Sequence, residues 1–377
     1  MTSHSAQPPT PAVAAEEDVN RYDPHHRQWL ASAIRKVRSD ANRSADTHLV
    51  KVPLPVHWGV DLYLKDESVH PTGSLKHRLA RSLFLHALCN GWIHPDRPVI
   101  EASSGSTAVS EAYFASLIGV PFCAVMARST SRQKVDLIEF HGGSCHFVDN
   151  ADEVYAVAAQ LAEERGGHYM DQFTYAERAT DWRGNNNIAE SIFDQMAMEE
   201  HPEPAWVVAT AGTGGTSATL ARYVRYTGRS TGICVADPEN SAFFPGWRDH
   251  DPFVTTQIGS RIEGIGRQRV ESSFIASSID RMVRVPDAAA VASILLLEEL
   301  IGARAGASTG TSMWASLRIV SEMVEAGTKG SIVSLICDPG ERYLDKYYSQ
   351  EWLEENDIDI EPYQRRLEDF MRTGVLP

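Results

Sequence analysis

No apolar run in this sequence approaches the roughly 20 residues that a membrane-spanning helix needs. Basic residues are few: 35 Lys and Arg stand against 50 Asp and Glu, a formal charge of −15. That balance argues against nucleic acid or an anionic membrane as the main partner. Cysteine is sparse and odd in number, and Cys89, Cys123, Cys145, Cys234 and Cys337 lie far apart. Such spacing excludes a CxxC metal site and a disulfide framework, and fits reduced thiols in a cytoplasmic protein. His141, Cys145 and His146 straddle a helix end and a strand start and match no zinc spacing, so no metal site is expected. The N-terminus lacks the basic start and apolar core of a signal peptide. Its Ala, Pro and polar content predicts a disordered tail over residues 1–25.

What is present is a regular alternation. The chain has 377 residues, 43% of them apolar, enough for two lobes of roughly 150 residues. From residue 50 onward, short apolar runs alternate with helical periodicity. "PVIEA" (98–102), "PFCAVM" (121–126), "CHFVD", 168–172, "AWVVATA" (205–211), "TGICVAD" (231–237) and "SIVSLIC" (331–337) read as strands. Helices are predicted between them, near 107–119, 131–143, 151–167, 186–199, 216–227, 287–302 and 309–326, with a last helical group at the C-terminus. This βαβ rhythm predicts an α/β fold with parallel twisted sheets in two interwoven lobes with a cleft between them.

In such sheets ligands sit where strand C-terminal ends run into helices. Three loops there are unusual. Ser103, Ser104, Gly105, Ser106 and Thr107 in "EASSGSTAVS" place hydroxyls and a glycine at a helix start, which suits a small carboxylate and also suits an ordinary N-cap. Gly212, Thr213, Gly214, Gly215 and Thr216 in "ATAGTGGTSAT" let backbone N–H groups converge on a phosphate, although a tight turn that binds nothing would look the same. Gly212, Gly214 and Ser217 followed by Asp237 also come close to a dinucleotide fingerprint, so a nucleotide-binding dehydrogenase is the reading from another class. Asp338 in "ICDPGERYL" is either a helix cap, with Glu341 completing a capping box, or a carboxylate facing the cleft. The fourth oddity is "HPTGSLKHR" (70–78), a turn that puts Lys76 in the first turn of a helix, where the dipole favours an anion. Leu75, Leu79 and Leu83 supply the buried stripe of that helix, so Lys76 is either an exposed lysine or one desolvated for Schiff-base chemistry.

Together, "KDESVHPTGSLKHRLA", "EASSGSTAVSEAYFA", "ATAGTGGTSATLARY", "IEGIGRQ", "GASTGTS" and "CDPGERYL" closely resemble, in order, the fold-type-II pyridoxal-phosphate enzymes. That family, tryptophan synthase β-like in fold, includes cysteine synthase, cystathionine β-synthase and their cysteine desulfhydrase relatives. The resemblance covers about residues 50 to 345. It implies that Lys76 carries pyridoxal 5'-phosphate as a Schiff base and removes the Cα proton. By the same resemblance Gly212 to Thr216 hold the phosphate, Ser106 and Asp338 touch the cofactor, and Ser103, Ser104, Gly105, Thr107 and Gln172 bind the amino acid. It also implies a larger cofactor-binding lobe (26–69 with 177–350), a smaller substrate-binding lobe (70–176), a C-terminal helical extension (351–377) and a homodimer. Three departures stand out. Ser106 replaces the Asn usual in cysteine synthases, His77 replaces a frequent Asp, and Asp338 replaces a Ser facing the pyridine nitrogen. As a whole the chain looks most like the actinobacterial L-cysteine desulfhydrase branch. The implied reaction is β-elimination of cysteine to sulfide, pyruvate and ammonia, with β-replacement as the alternative.

Overall fold

In the computed structural model the described residues are 23–42 and 46–376. Most of the expected N-terminal tail therefore lies outside them, but its last residues are helical. Asp23 takes the N–H groups of His25 and His26 on its carboxylate, and Pro24 fits the first helical position.

Among the described residues ten strands form two sheets: β1 (His48–Val52), β2 (Val60–Asp66), β3 (Val99–Ala102), β4 (Phe122–Ala127), β5 (Ser144–Val148), β6 (His168–Tyr169), β7 (Pro204–Thr210), β8 (Gly232–Pro238), β9 (Arg281–Val285) and β10 (Gly330–Ile336). The helices are α1 (Pro24–Ala41), α2 (Lys76–Cys89), α3 (Ser106–Ile118), α4 (Arg132–Phe140), α5 (Val154–Glu164), α6 (Gln172–Ala179), α7 (Ile188–Met196), α8 (Gly215–Tyr226), α9 (Phe243–Arg248), α10 (Asp287–Ile301), α11 (Ala307–Glu325), α12 (Gln350–Glu355) and α13 (Glu361–Thr373).

The larger sheet runs β1-β2-β10-β7-β8-β9 and the smaller β5-β4-β3-β6. All pairings are parallel except β1 with β2, where His48 faces Asp66 and Val52 faces Leu62. An antiparallel edge strand was not expected from the βαβ rhythm, because β1 and β2 are joined by a short loop with no crossover helix. The central strands are apolar on both faces, as sheets covered on both sides require. Leu62 and Leu64 of β2, with Ile332 of β10 and Val208 of β7, pack in one core with Ala290 of α10 and Leu317 of α11. Tyr63, Val333 and Val207 alternate to the other face, against Phe193 of α7 and Leu220 of α8.

The chain starts the larger sheet with β1 and β2, leaves to build the smaller one, and returns at β7, so the lobes are interwoven. Residues 26–41, assigned above to the larger lobe, pack elsewhere. Ala33 and Val37 of α1 share a core with Leu83 and Phe84 of α2 and Ile118 of α3, beside the smaller sheet. The strand read at 168–172 ends at Tyr169. Asp171 turns left-handed (φ 49°) and caps Thr174 N–H, which starts α6 at Gln172. Helix α2 buries more than its leucine stripe: Arg78 and Arg81 are inside as well, with Arg78 clamped on Glu67 through Nε at 2.6 Å.

Candidate active site

The C-terminal ends of β3, β7 and β10 and the start of α2 converge on one cleft of about 450 Å³ between the sheets. Its wall includes Lys76, Ser103, Ser104, Gly105, Ser106, Thr107, Gln172, Gly212, Thr213, Gly214, Thr216 and Asp338. Of the cofactor- and substrate-binding residues that the resemblance implies, Gly215 alone is absent from that wall. A Cβ there would sit 3.0 Å from Ala176 of α6, so this glycine serves helix packing.

Lys76 opens α2, and its backbone N–H is taken by Ser74 Oγ at 3.2 Å. Its Nζ has no hydrogen bond or ion pair among the described residues. Burial pushes its pKa down, and the nearby Arg267 adds to that, outweighing Cys337 and Asp338. The positive helix end works in the same direction. The placement that looked unfavourable in sequence therefore favours a neutral, nucleophilic amine.

Two loops pack directly on each other. A Cβ on Gly212 would meet Gly264 O at 2.2 Å, and Gly214 has φ +92° with Phe274 Cα and Ser273 O within 2.7 Å of a would-be Cβ. The glycines thus bring the 212–216 backbone tight against the 264–274 segment. That segment carries Arg267, whose Nε donates to Gly212 O at 3.2 Å and whose guanidinium stacks on Phe173 at 4.5 Å.

At the end of β3, Ser103 Oγ takes the Gly105 N–H (3.3 Å), and Thr107 donates its hydroxyl to Gln172 Oε1 at 2.8 Å. With Oε1 so engaged, the amide N–H₂ is the donor end of the Gln172 side chain, on the cleft wall and near enough to Glu101 to favour its ionised form. Beneath this loop lie two fully buried carboxyls, Glu101 and Glu111. Glu101 Oε2 accepts the Gln172 backbone N–H at 3.1 Å. Burial pushes Glu101 up to about 8 and Glu111 well above the carboxylate range, which favours the protonated form of each.

Asp338 is not a helix cap. The chain beyond it makes a single 3₁₀ turn, Gly340–Tyr343, with Pro339 at its cap position and no side-chain capping bond. Asp338 Oδ2 instead accepts the Tyr343 hydroxyl at 2.6 Å, while Oδ1 is buried without a partner. Burial raises its pKa; Tyr343, Arg342 and Lys76 work against that.

The dinucleotide reading fails on Asp237. This residue is fully buried, and its Oδ2 takes the Phe244 N–H at 2.8 Å at the start of α9. Burial lifts its pKa to about 7 despite bonds from Ser241 and Phe244. With the folded pKa raised, the stability held by the protonated form is full below about 3.8 and is lost as pH rises to about 7. Asp237→Asn keeps an acceptor for Phe244 and cannot ionise. Its stability advantage over the parent should grow from pH 5.5 to pH 8, reaching about 2 kcal/mol or more. Denaturant unfolding at both pH values checks this, and an advantage that does not change with pH would contradict it.

Sequence reasoning missed several wall residues. Glu263 binds Lys134 of α4 at 2.7 Å and also Lys346, which ties the two lobes across the cleft. Burial would raise Glu263, but the two ammonium groups outweigh it and hold it below the usual carboxylate range. Arg267 and Arg342 lie within "IEGIGRQ" and "CDPGERYL", and their unpatterned charges were the available signal. All five cysteines are free, and among the described residues no cluster of three or more His, Cys, Asp or Glu is placed to hold a metal ion. No helix among them is long and apolar enough to cross a membrane.

Residues 43–338 match the family model described as pyridoxal-phosphate dependent enzyme. L-cysteine desulfhydrase Cds1 of Mycobacterium tuberculosis is 57% identical over 351 residues, covering 92% of this chain and 95% of that protein. Cysteine synthase 2 of Schizosaccharomyces pombe is 28% identical, covering 83% and 84%. Crystal structures of O-ureido-L-serine synthase (TM-score 0.70, 24% identity, 85% and 94% coverage) and of a hydrogen sulfide-producing enzyme (0.71, 22%, 84% and 92%) share the fold.

Proposed function

The chain belongs to the pyridoxal-phosphate dependent enzymes, and from that premise we propose that it cleaves L-cysteine by β-elimination. L-Cysteine and water would give sulfide, pyruvate and ammonia. The observation that carries this reading is the 57% identity, over almost the whole chain, to an L-cysteine desulfhydrase. The fold is that of the fold-type-II members, and their cofactor is pyridoxal 5'-phosphate.

The residues lining the cleft suit that cofactor. A lysine whose amine has no partner among the described residues stands at a positive helix end, and a glycine-lined backbone cradle and a carboxyl oxygen without a partner among those residues lie in the same wall. When bound, pyridoxal phosphate supplies an electron sink for the breaking Cα–H and Cβ–S bonds. The chain supplies the rest. Lys76 holds the cofactor covalently and, when freed, takes the Cα proton as a neutral amine. The backbone of Gly212 to Thr216, with the Thr213 and Thr216 hydroxyls, takes the phosphate at the N-terminus of α8. Asp338, whose Oδ1 in the cleft wall has no partner among the described residues, and Ser106 would help hold the cofactor, the carboxylate supplying charge that favours a protonated ring. The remaining donors of Ser103 to Thr107, with the Gln172 amide, orient the amino acid's carboxylate. In this reading the smaller lobe carries the substrate loop and the larger one the cofactor. The working form is a cytoplasmic homodimer that takes a small amino acid and no nucleic acid.

Gln172→Ala removes one donor to that carboxylate. KM for cysteine should rise about tenfold, while the visible spectrum of the resting holoenzyme stays that of the parent. An unchanged KM would take Gln172 out of the substrate site. The reading as a whole is tested by incubating the purified holoenzyme with L-cysteine, and separately with O-acetylserine plus sulfide. Sulfide, pyruvate and ammonia in equal amounts from cysteine alone support it. Cysteine formed faster from the second mixture would make the protein a synthase.

A further inference from the structure

Arg342 sits in the 3₁₀ turn after β10, on the larger sheet's side of the cleft. Its Nη2 donates to the Thr72 carbonyl at 2.8 Å, and its Nη1 donates to Ser106 Oγ at 3.0 Å. It makes no ion pair within 4 Å among the described residues, and its two hydrogen bonds both go to neutral oxygens, with the Asp338 carboxyl near enough to feel its charge. The turn before Lys76 is shaped around it: Gly73 has φ +66°, and a Cβ there would lie 2.7 Å from Nη2.

A serine hydroxyl has one proton to donate and two acceptor positions. At Ser106 the guanidinium occupies an acceptor position, and among the described residues nothing accepts the Ser106 proton. That proton is left for the contents of the cleft, whose wall both residues form. A cation drawing on Oγ strengthens the outgoing O–H donor, because charge-assisted and chained hydrogen bonds polarise one another.

We propose that Arg342 and Ser106 act as one charge-polarised donor that holds an anionic oxygen in the cleft. Ser106 touches the anion, and Arg342 is a positioning residue that acts through it. The proposal rests on the cofactor and substrate class given above. Two groups there share the required chemistry, the ring oxygen of pyridoxal phosphate and the carboxylate of the amino acid.

The test compares holoenzymes of the parent, Ser106→Ala, Arg342→Gln, the double variant and Arg342→Lys. If the anion is the ring oxygen, the ratio of the long- to the short-wavelength absorption band of the resting enzyme falls about tenfold in each single variant. If it is the carboxylate, resting spectra stay put. Binding of L-alanine, followed by its spectral change, then weakens about tenfold, whereas ethylamine binds as to the parent. In either case the double variant matches the singles, because both act through one hydroxyl, and Arg342→Lys recovers part of the loss. Spectra and alanine affinity that both match the parent, with only a lower melting temperature, would reduce Arg342 to a structural tie and overturn the proposal. Strictly additive effects would overturn it too. A parent protein without any visible band would instead defeat the cofactor reading, which keeps the two failures distinct.

Discussion

Replacing Lys76 with alanine is expected to remove turnover of cysteine by at least about a thousandfold while leaving the fold intact. Two losses combine. In the proposed function the covalent anchor of the cofactor would go, and so would the amine that takes the Cα proton. The fold should hold for reasons visible around the residue. Alanine is a good helix former at the first position of α2, and Lys76 Nζ holds nothing that its loss would leave unpaired. Removing a desolvated amine from a positive helix end should, if anything, steady the helix. The measurements are sulfide release, the visible spectrum, and borohydride reduction of the parent followed by peptide mass analysis. A variant that turns over at the parent's rate, or a reduced adduct on another lysine, would remove Lys76 from the chemistry.

The second large effect is expected at Asp338→Asn. Asparagine still offers an oxygen to the Tyr343 hydroxyl, so the side-chain bond of Asp338 survives beside its backbone bond from Gly306, and the melting temperature should change little. In the proposed function, what is lost is a carboxylate that would favour a protonated cofactor ring. A neutral ring withdraws electrons from Cα less well than a protonated one, so Cα-proton abstraction should slow at least about tenfold, equivalent to roughly 1.4 kcal/mol. Single-turnover kinetics with α-deuterated cysteine isolate that step. An unchanged rate with an unchanged isotope effect would leave Asp338 as a partner of Tyr343 and nothing more. A serine at 338 is the weaker probe, because its short side chain also gives up the Tyr343 bond.

Much of the site was legible because its signals are local. A helix start after Thr72-Gly73, a glycine at a left-handed turn, and a strand running into hydroxyls at a helix cap are each fixed by a few neighbouring residues. Periodicity and turn chemistry encode them directly. The places where sequence reasoning failed are those settled by distant packing. At Asp338 four residues of sequence left a capping box and a cleft carboxylate equally open, and the structure closes the segment as a 3₁₀ turn in which Tyr343 hydrogen-bonds the Asp338 carboxylate in the cleft wall. The apolar positions of α1 gave no hint that this helix docks beside the smaller sheet instead of the larger.

Sequence by itself determined the alternation of strands and helices, the glycine-lined loop, the placement of Lys76 in a first helical turn, and through the order of its motifs the family. Only the tertiary structure decided which of these share a cleft. Arg342 and Ser106 are 236 residues apart, and Thr107 and Gln172 are 65 apart. Contacts at such separations leave no periodic mark, since nothing about either residue's neighbours has to change for them to meet. The same holds for electrostatics. That the Lys76 amine is shifted down, that the Glu101 and Glu111 carboxyls are shifted up, and that Asp338 has an oxygen to spare all depend on desolvation and on groups brought in by other segments.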